Sequence, residues 1–198
     1  MMTIVVDACI VGHRSIAQNT SQCRCNMNTV TGFDPIAGRD ALILILGSMP
    51  SVQSLRAQEY YAHPRNAFWY IMSAMFADYR TLSYPQKKLL LVQNRIALWD
   101  VLSACQRKGS LDSAIRKETV VVNDFNAFFV AHPGIQAVYF NGSRAQQVYN
   151  QRVLSALDEQ FSNLEYQRLP STSPAMASLD REQKLKHWKT ILQYLRSE

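Results

Sequence analysis

The side chains of this chain that could do chemistry fall into a few short polar stretches. Gly47-Ser48-Met49-Pro50-Ser51 interrupts an apolar run. His63-Pro64-Arg65-Asn66 follows two tyrosines, Tyr60 and Tyr61, and precedes the aromatic pair Phe68 and Trp69. Asp100, Asn141-Gly142-Ser143 and Ser171-Thr172-Ser173-Pro174 each close a further apolar run. The chemistry this set suggests is the gripping of a flat, polar ligand, with rings to stack on it and amides and hydroxyls to bond its edge. An amide is no general base at neutral pH. It can orient a water or hydrogen-bond a departing group, a task that needs geometry more than basicity. His63 is read as a cap ahead of Pro64. No GxSxG nucleophile motif is present, which argues against a small-molecule α/β hydrolase. The cysteines, Cys9, Cys23, Cys25 and Cys105, form no CxxC pair, so no zinc or iron–sulfur site is indicated and free thiols in a reducing cytoplasm are expected.

These stretches owe their positions to the elements before them. Leu42-Ile43-Leu44-Ile45-Leu46 is a short continuous apolar run, the pattern of a strand buried on both faces. Residues 96–99 and 135–140 read the same way, and 166–169 read as a weaker fourth strand. Helical patterns lie between them. Pro64 is expected in the first turn of a helix carrying Phe68, Ile71, Met72, Met75 and Phe76, and Pro85 begins a second. Asn123 is the expected cap of a third, with Phe125, Phe128 and Phe129, and a fourth runs from about Arg144 to Leu157. A last helix from about Asp180 puts Leu185, Trp188, Ile191, Leu192 and Leu195 on one face. Residues 103–117 read as a polar, basic loop, with Arg107 and Lys108 as solvated phosphate contacts. Strands alternating with helices predict a parallel sheet covered on both faces. All the strand exits then lie along one edge, where ligands bind beyond the carboxyl ends of the strands.

At 198 residues one domain is expected, over residues 36–198. Residues 1–35 lack any sustained period and read as a flexible extension, and one reading places the natural start at Met27. With 47% apolar residues there is material for a sizeable core. Lys and Arg number 21 against 15 Asp and Glu, a net charge of +6. Residues 1–40 carry three of each sign, so the excess lies in 41–198 and suits a partner rich in phosphate. No apolar run approaches a membrane span, and no basic segment precedes a signal-like stretch.

GSMPS (47–51), YYAHPRNAFW (60–69), IALWDVL (96–102), YFNGSRA (139–145) and LPSTSPAMA (169–177), in that order, resemble the uracil-DNA glycosylase superfamily, and within it the DNA-deoxyinosine (hypoxanthine-DNA) glycosylases. The HPRNAFW segment is also similar to that of mismatch-specific uracil-DNA glycosylases. The resemblance implies a three-layer α/β/α sandwich on a central four-stranded parallel sheet. It implies a monomeric, cytoplasmic, base-flipping enzyme that hydrolyses the N-glycosidic bond of a deaminated base in DNA. Hypoxanthine is the expected base, with uracil a further one, and no metal or cofactor is needed. A DNA-binding module of the same fold without chemistry stays open, as does a mismatch-specific uracil enzyme.

Roles follow from the same resemblance. Asn66 is the expected catalytic amide, acting on water or on the leaving base, with Ser171 donating a hydrogen bond. Tyr61 stacks on the base, with Tyr60 as the fallback and Phe68 in the same base-binding group. Gly47, Ser48 and Met49 form the floor, Asp100 accepts from the base edge, and Asn141 contacts base or backbone. Met49 stands where many relatives carry Asp or Asn, and Ser171 where many carry His or Asn, so the catalytic burden moves to Asn66. Ser51, Arg65, Gly142, Ser143 and Arg144 are expected at the DNA backbone. Ser173 and the loop N–H groups hold phosphate, and Pro174, Ala175 and Met176 enter the gap left by the base. No lysine is placed to form a Schiff base, which implies a glycosylase without strand cleavage.

Overall fold

A computed structural model describes residues 29–195. Residues 1–28 of the extension expected over 1–35, and with them Cys9, Cys23, Cys25 and Met27, lie outside them. The continuous apolar runs become four parallel strands, β2 (Ile43–Gly47), β3 (Ile96–Asp100), β6 (Ala137–Asn141) and β7 (Glu165–Leu169), in the order β3-β2-β6-β7. Their side chains alternate between two cores, as the period of a strand requires. Leu44, Leu46, Ala97, Trp99, Val138 and Phe140 enter one core, while Ile43, Ile45, Ile96, Leu98, Ala137 and Tyr139 enter the other. The first core is closed by α4 (Phe125–Ala131) and α5 (Ser143–Arg152). The second is closed by α2 (Phe68–Phe76), α3 (Tyr84–Gln93) and α6 (Arg181–Trp188). Each fully buried leucine or isoleucine of the central strands contributes about 1.5–3 kcal/mol. This is the expected three-layer α/β/α arrangement.

Three local expectations change. Residues 29–35 are not a loose tail, because β1 (Thr29–Thr31) pairs antiparallel with β4 (Leu102–Gln106), which also pairs with β5 (Val121–Val122). Ile36 then bridges to Leu98, and the indole of Trp99 donates to the carbonyl of Phe33 at 3.0 Å. The first part of the predicted 103–117 loop is therefore a strand, irregular in register between Leu102 and Ala104, that buries Leu102 and Cys105 and leaves Ser103, Ala104 and Gln106 half-buried. Asn123 does not cap α4; Asp124 does, accepting from the N–H of Ala127, while Asn123 donates to the carbonyl of Asp100. Pro64 sits in a separate turn ahead of α2, closed by the Asn66 N–H on the His63 carbonyl at 2.8 Å. Among the described residues no helix is long and apolar enough to cross a membrane.

The sheet order locates the functional edge. After β2 the chain leaves towards the second core, through α1 (Val52–Ala57) and then α2 and α3, whereas after β6 it leaves towards the first, through α5. Adjacent strands whose connections diverge to opposite faces leave a crevice at their carboxyl ends. The far wall is held by Trp188, fully buried on α6, whose indole donates to the carbonyl of Pro170 just past β7 at 2.9 Å. Trp188→Phe keeps an aromatic ring but removes the pyrrole half of the indole and with it that donor. It should lower unfolding free energy by roughly 1–3 kcal/mol, the cost of an unsatisfied buried carbonyl, read from urea denaturation.

Candidate active site

The crevice holds a pocket of about 130 Å³. That is below the roughly 300–1,000 Å³ of pockets for drug-sized ligands and suits one small ring system. Loops after all four parallel strands meet there. Gly47, Ser48, Met49 and Ser51 come from the β2 exit, Asp100 from β3, Asn141 from β6, and Ser171 and Ser173 from the β7 exit. Tyr61 and Asn66 close the pocket from the segment before α2.

Gly47 has no room for a side chain. A Cβ there would collide with the carboxylate of Asp100, its register partner on β3, and would lie 3.0 Å from the hydroxyl of Tyr61. The floor is thus a bare backbone with a buried carboxylate and a phenol closing on it. Tyr61 adopts a left-handed backbone, φ 54°, which costs a bulky residue about 1–2 kcal/mol. That conformation lays its ring on Phe68 at 4.2 Å between centroids, and Phe68 meets Trp188 edge-on at 5.8 Å. An aromatic column so runs from the α6 core to the pocket wall. Phe68 itself is fully buried and cannot touch a ligand; its part is to back Tyr61. Tyr60 is buried as well, its hydroxyl turned to the carbonyl of Asp34 at 3.2 Å, and burial followed by the charge of Asp100 pushes its phenol far above the usual tyrosine range. It stays neutral.

Asn66 is aimed by the helix it precedes. Its Oδ1 accepts the N–H of Phe68 at 3.0 Å, one of the donors left open at the start of α2, so Nδ2 faces away from the helix. His63 fixes the same turn through Nδ1, which accepts from the N–H of Arg65 at 3.1 Å. Met49 is packed into the core at 7% exposure and brings neither acid nor amide to the pocket.

The β6 and β7 exits are clamped together. Both ends of the Asn141 amide engage Thr172, Nδ2 donating to its hydroxyl and Oδ1 accepting its N–H, each at 2.8 Å. The carbonyl of the fully buried Thr172 takes the N–H of Ala67 at 3.0 Å, next to Asn66. Gly142 makes the approach possible. Its φ of 97° disfavours other residues, and a Cβ would lie 2.9 Å from that of Ser171.

The phosphate loop expected after β7 differs from its sequence reading. Four of its N–H groups are spent internally: Thr172 on Asn141, Ser173 on Ser171 Oγ, Ala175 on Ser173 Oγ and Met176 on the Ser173 carbonyl. The hydroxyl hydrogens of Ser171 and Ser173 are among the donors it can still offer, since both oxygens already serve as acceptors. Beneath the loop lies Lys184, 4% exposed, donating to the carbonyls of Ser173 and Met176 at 3.2 and 2.9 Å. Burial holds its ammonium below the usual lysine range. Arg107 is likewise no solvated contact. It is 4% exposed and donates to the carbonyl of Pro50 behind the β2 exit, while Lys108 beside it is exposed.

Other expected contacts are engaged within the fold or stand outside the pocket. Ser51 lines it, but its hydroxyl caps α1 by accepting from Ser54 N at 3.1 Å. Arg65 and Ser143 are exposed, and Arg144 reaches along its own helix to Gln147 at 3.2 Å. Pro174 and Ala175 line an adjoining groove, and Met176 lies beyond it. Ser54 and Ser110 line the pocket with no motif to announce them. Among the described residues no group of three or more His, Cys, Asp or Glu could hold a metal. Asn141→Ala removes both bonds to Thr172. It should cost roughly 1–3 kcal/mol in urea denaturation, and more than Thr172→Val, which keeps the backbone bond.

Residues 35–196 match the model of the Uracil DNA glycosylase superfamily. A hypoxanthine DNA glycosylase of Methanosarcina acetivorans is 40% identical over 115 residues, 58% of this chain and 72% of the relative. One from Methanosarcina barkeri is 36% identical over the same shares. The solution NMR structure of a candidate uracil DNA glycosylase from Methanosarcina acetivorans superposes with a TM-score of 0.70 at 31% identity, covering 86% of this chain and all of that one.

Proposed function

Because this chain belongs to the Uracil DNA glycosylase superfamily and is a DNA glycosylase, we propose that it releases hypoxanthine from deoxyinosine in DNA. The nucleotide is extruded from the helix, at a cost of a few kcal/mol, and its base enters the pocket between the strand exits. The orientation of Asn66 is the observation that carries the mechanism. With Oδ1 held by the Phe68 N–H and the residue lining the pocket, Nδ2 is the end of the amide left to donate to a ligand. A donor there bonds an acceptor of the departing base, and it cannot take a proton from water.

In this reading the C1′–N9 bond of the sugar breaks and its electron pair goes to the base. Asn66 and the Ser171 hydroxyl meet the charge that develops on the base, stabilisation that grows towards the transition state. Water adds its oxygen to C1′ and loses a proton to solvent, leaving an abasic site. Tyr61 supplies the stacking face. Asp100 accepts N1–H of hypoxanthine and would accept N3–H of uracil equally, so uracil is a second substrate in the proposal. Among the described residues no lysine lines the pocket, and Lys184 is held under its loop by two carbonyls. Water is therefore the nucleophile, and the strand stays intact until alkali is added.

Labelled oligonucleotides carrying inosine, uracil, xanthine or oxanine, treated with alkali after incubation, should break at inosine; intact strands for inosine and uracil alike would sink the proposal. Asn66→Ala should slow single-turnover release by roughly 10²–10⁴-fold, the scale for a positioned catalytic group. An unchanged rate would remove Asn66 from its role.

A further inference from the structure

Between α2 and α3, where the chain turns through residues 77–83, lies a cleft of about 280 Å³, roughly twice the volume of the base pocket. The two share no lining residue. Trp69, Tyr70 and Tyr79 supply the rings of the cleft, and Arg80 and Lys87 its charge. Building on the glycosylase reading, we propose that this cleft binds a nucleotide unit in an unpaired stretch of the DNA strand, its base stacked on the tyrosines and its phosphate held by the two cations.

The rings are set out for a flat ligand. Tyr79 is 55% exposed. Both it and Asp78 adopt a left-handed backbone, φ 57° and 47°, which side-chain-bearing residues rarely take. Two hydrogen bonds hold the turn in that shape. The Tyr79 N–H donates to the Ser73 carbonyl at 3.2 Å, and the Ser73 hydroxyl to the Arg80 carbonyl at 2.8 Å. Tyr79 is thereby brought against Tyr70, 5.6 Å between centroids. Backbone strain of this kind collects at ligand sites, and here it keeps a large ring out of the core.

The charge calls for an anion. Arg80 donates from Nε to the Ala77 carbonyl at 3.0 Å, and the ammonium of Lys87 lies over the Trp69 ring at 5.6 Å. Neither cation has a carboxylate at ion-pair distance among the described residues. Lys88 and Arg181 stand close by, over the rings of Tyr84 and Tyr70. No carboxylate is among the lining residues; Asp78 is exposed in the turn, and Glu182 already accepts the hydroxyl of Tyr70. Rings beside unpaired cations suit a ligand that is flat and anionic at once. A nucleotide is both, and stacking of bases on aromatic side chains tolerates any sequence. Paired bases already stack on one another, so an unpaired stretch is the part of DNA that can enter. Arg181 favours a strand over a free nucleotide. Its guanidinium lies over Tyr70 at 5.6 Å and donates to the carbonyl of Pro64 at 3.4 Å, in the turn that carries Asn66. A strand leaving the base pocket past that turn meets this cation first and the rings next.

The test uses the full chain and undamaged DNA, so it stands apart from the base assigned to the pocket. Affinities are read by fluorescence anisotropy for a labelled thymidylate oligomer, as a single strand and in a blunt duplex with its complement. Tyr79→Ala should weaken single-strand binding roughly fivefold to a hundredfold, the range for a base losing its aromatic platform, and leave duplex binding within about twofold. Tyr79→Phe, which keeps the ring, should bind as the wild type does. Lys87→Ala should lower the slope of log affinity against log salt for the single strand by about 0.7, the share of one phosphate contact. This second variant carries the test if a thermal melt shows Tyr79→Ala to be unfolded. Unchanged single-strand binding, or equal losses on strand and duplex, would overturn the proposal. So would binding of thymidine monophosphate that needs Tyr79 while binding of the strand does not, since the ligand is then the free nucleotide. If no hypoxanthine is released yet these differences in affinity are found, the glycosylase reading fails and the cleft stands.

Discussion

Everything at the carboxyl edge of the sheet depends on one buried threonine. Thr172 is fully enclosed, and its N–H, hydroxyl and carbonyl are all spoken for, by Asn141 on one side and Ala67 on the other. Polar groups in such a place are tolerated only when bonded, and bonded they specify a single arrangement. The consequence is geometric. The loop after β7, the loop after β6 and the turn before α2 cannot move independently, so Ser171 and Asn66 keep a fixed relation although 105 residues part them in sequence. A reaction that relies on placed donors rather than on a strong base needs that rigidity.

The second constraint is the column from Trp188 through Phe68 to Tyr61. It ties the pocket wall to the packing of the last long helix, so the strained backbone of Tyr61 is held by core contacts rather than by the loop alone. Gly47 completes the arrangement by leaving empty the space that Asp100 and Tyr61 need.

How much of this was legible differs by residue. The four parallel strands were, because an apolar run of about five residues bounded by turns is too short for a buried helix and too apolar for a loop. The convergence of Gly47, Asp100, Asn141 and Ser171 followed from the sheet alone. The small β1-β4-β5 sheet was not, since strands of two to five residues with half-exposed faces carry a weak period. Phe68 reads from its motif as a ligand contact, but a helical period cannot tell the first buried ring from the one in front of it. The loop after β7 reads as a row of phosphate donors; only three-dimensional bonding reveals that four of its N–H groups are already engaged. Arg107 and Lys184 look like solvent-facing cations in sequence, and nothing in their spacing signals that both lie under loops at the pocket.

Those two cations carry a last consequence. Neither has a carboxylate at ion-pair distance among the described residues. Both are buried and bonded to carbonyls of loops that line the pocket or its rim. Exposed charges lose their pull as ionic strength rises, whereas buried ones are screened far less. In the proposed complex with DNA, exposed cations such as Lys108 and Arg65 would trade counterions with the backbone and fade in salt, whereas the field of the two buried ones would persist.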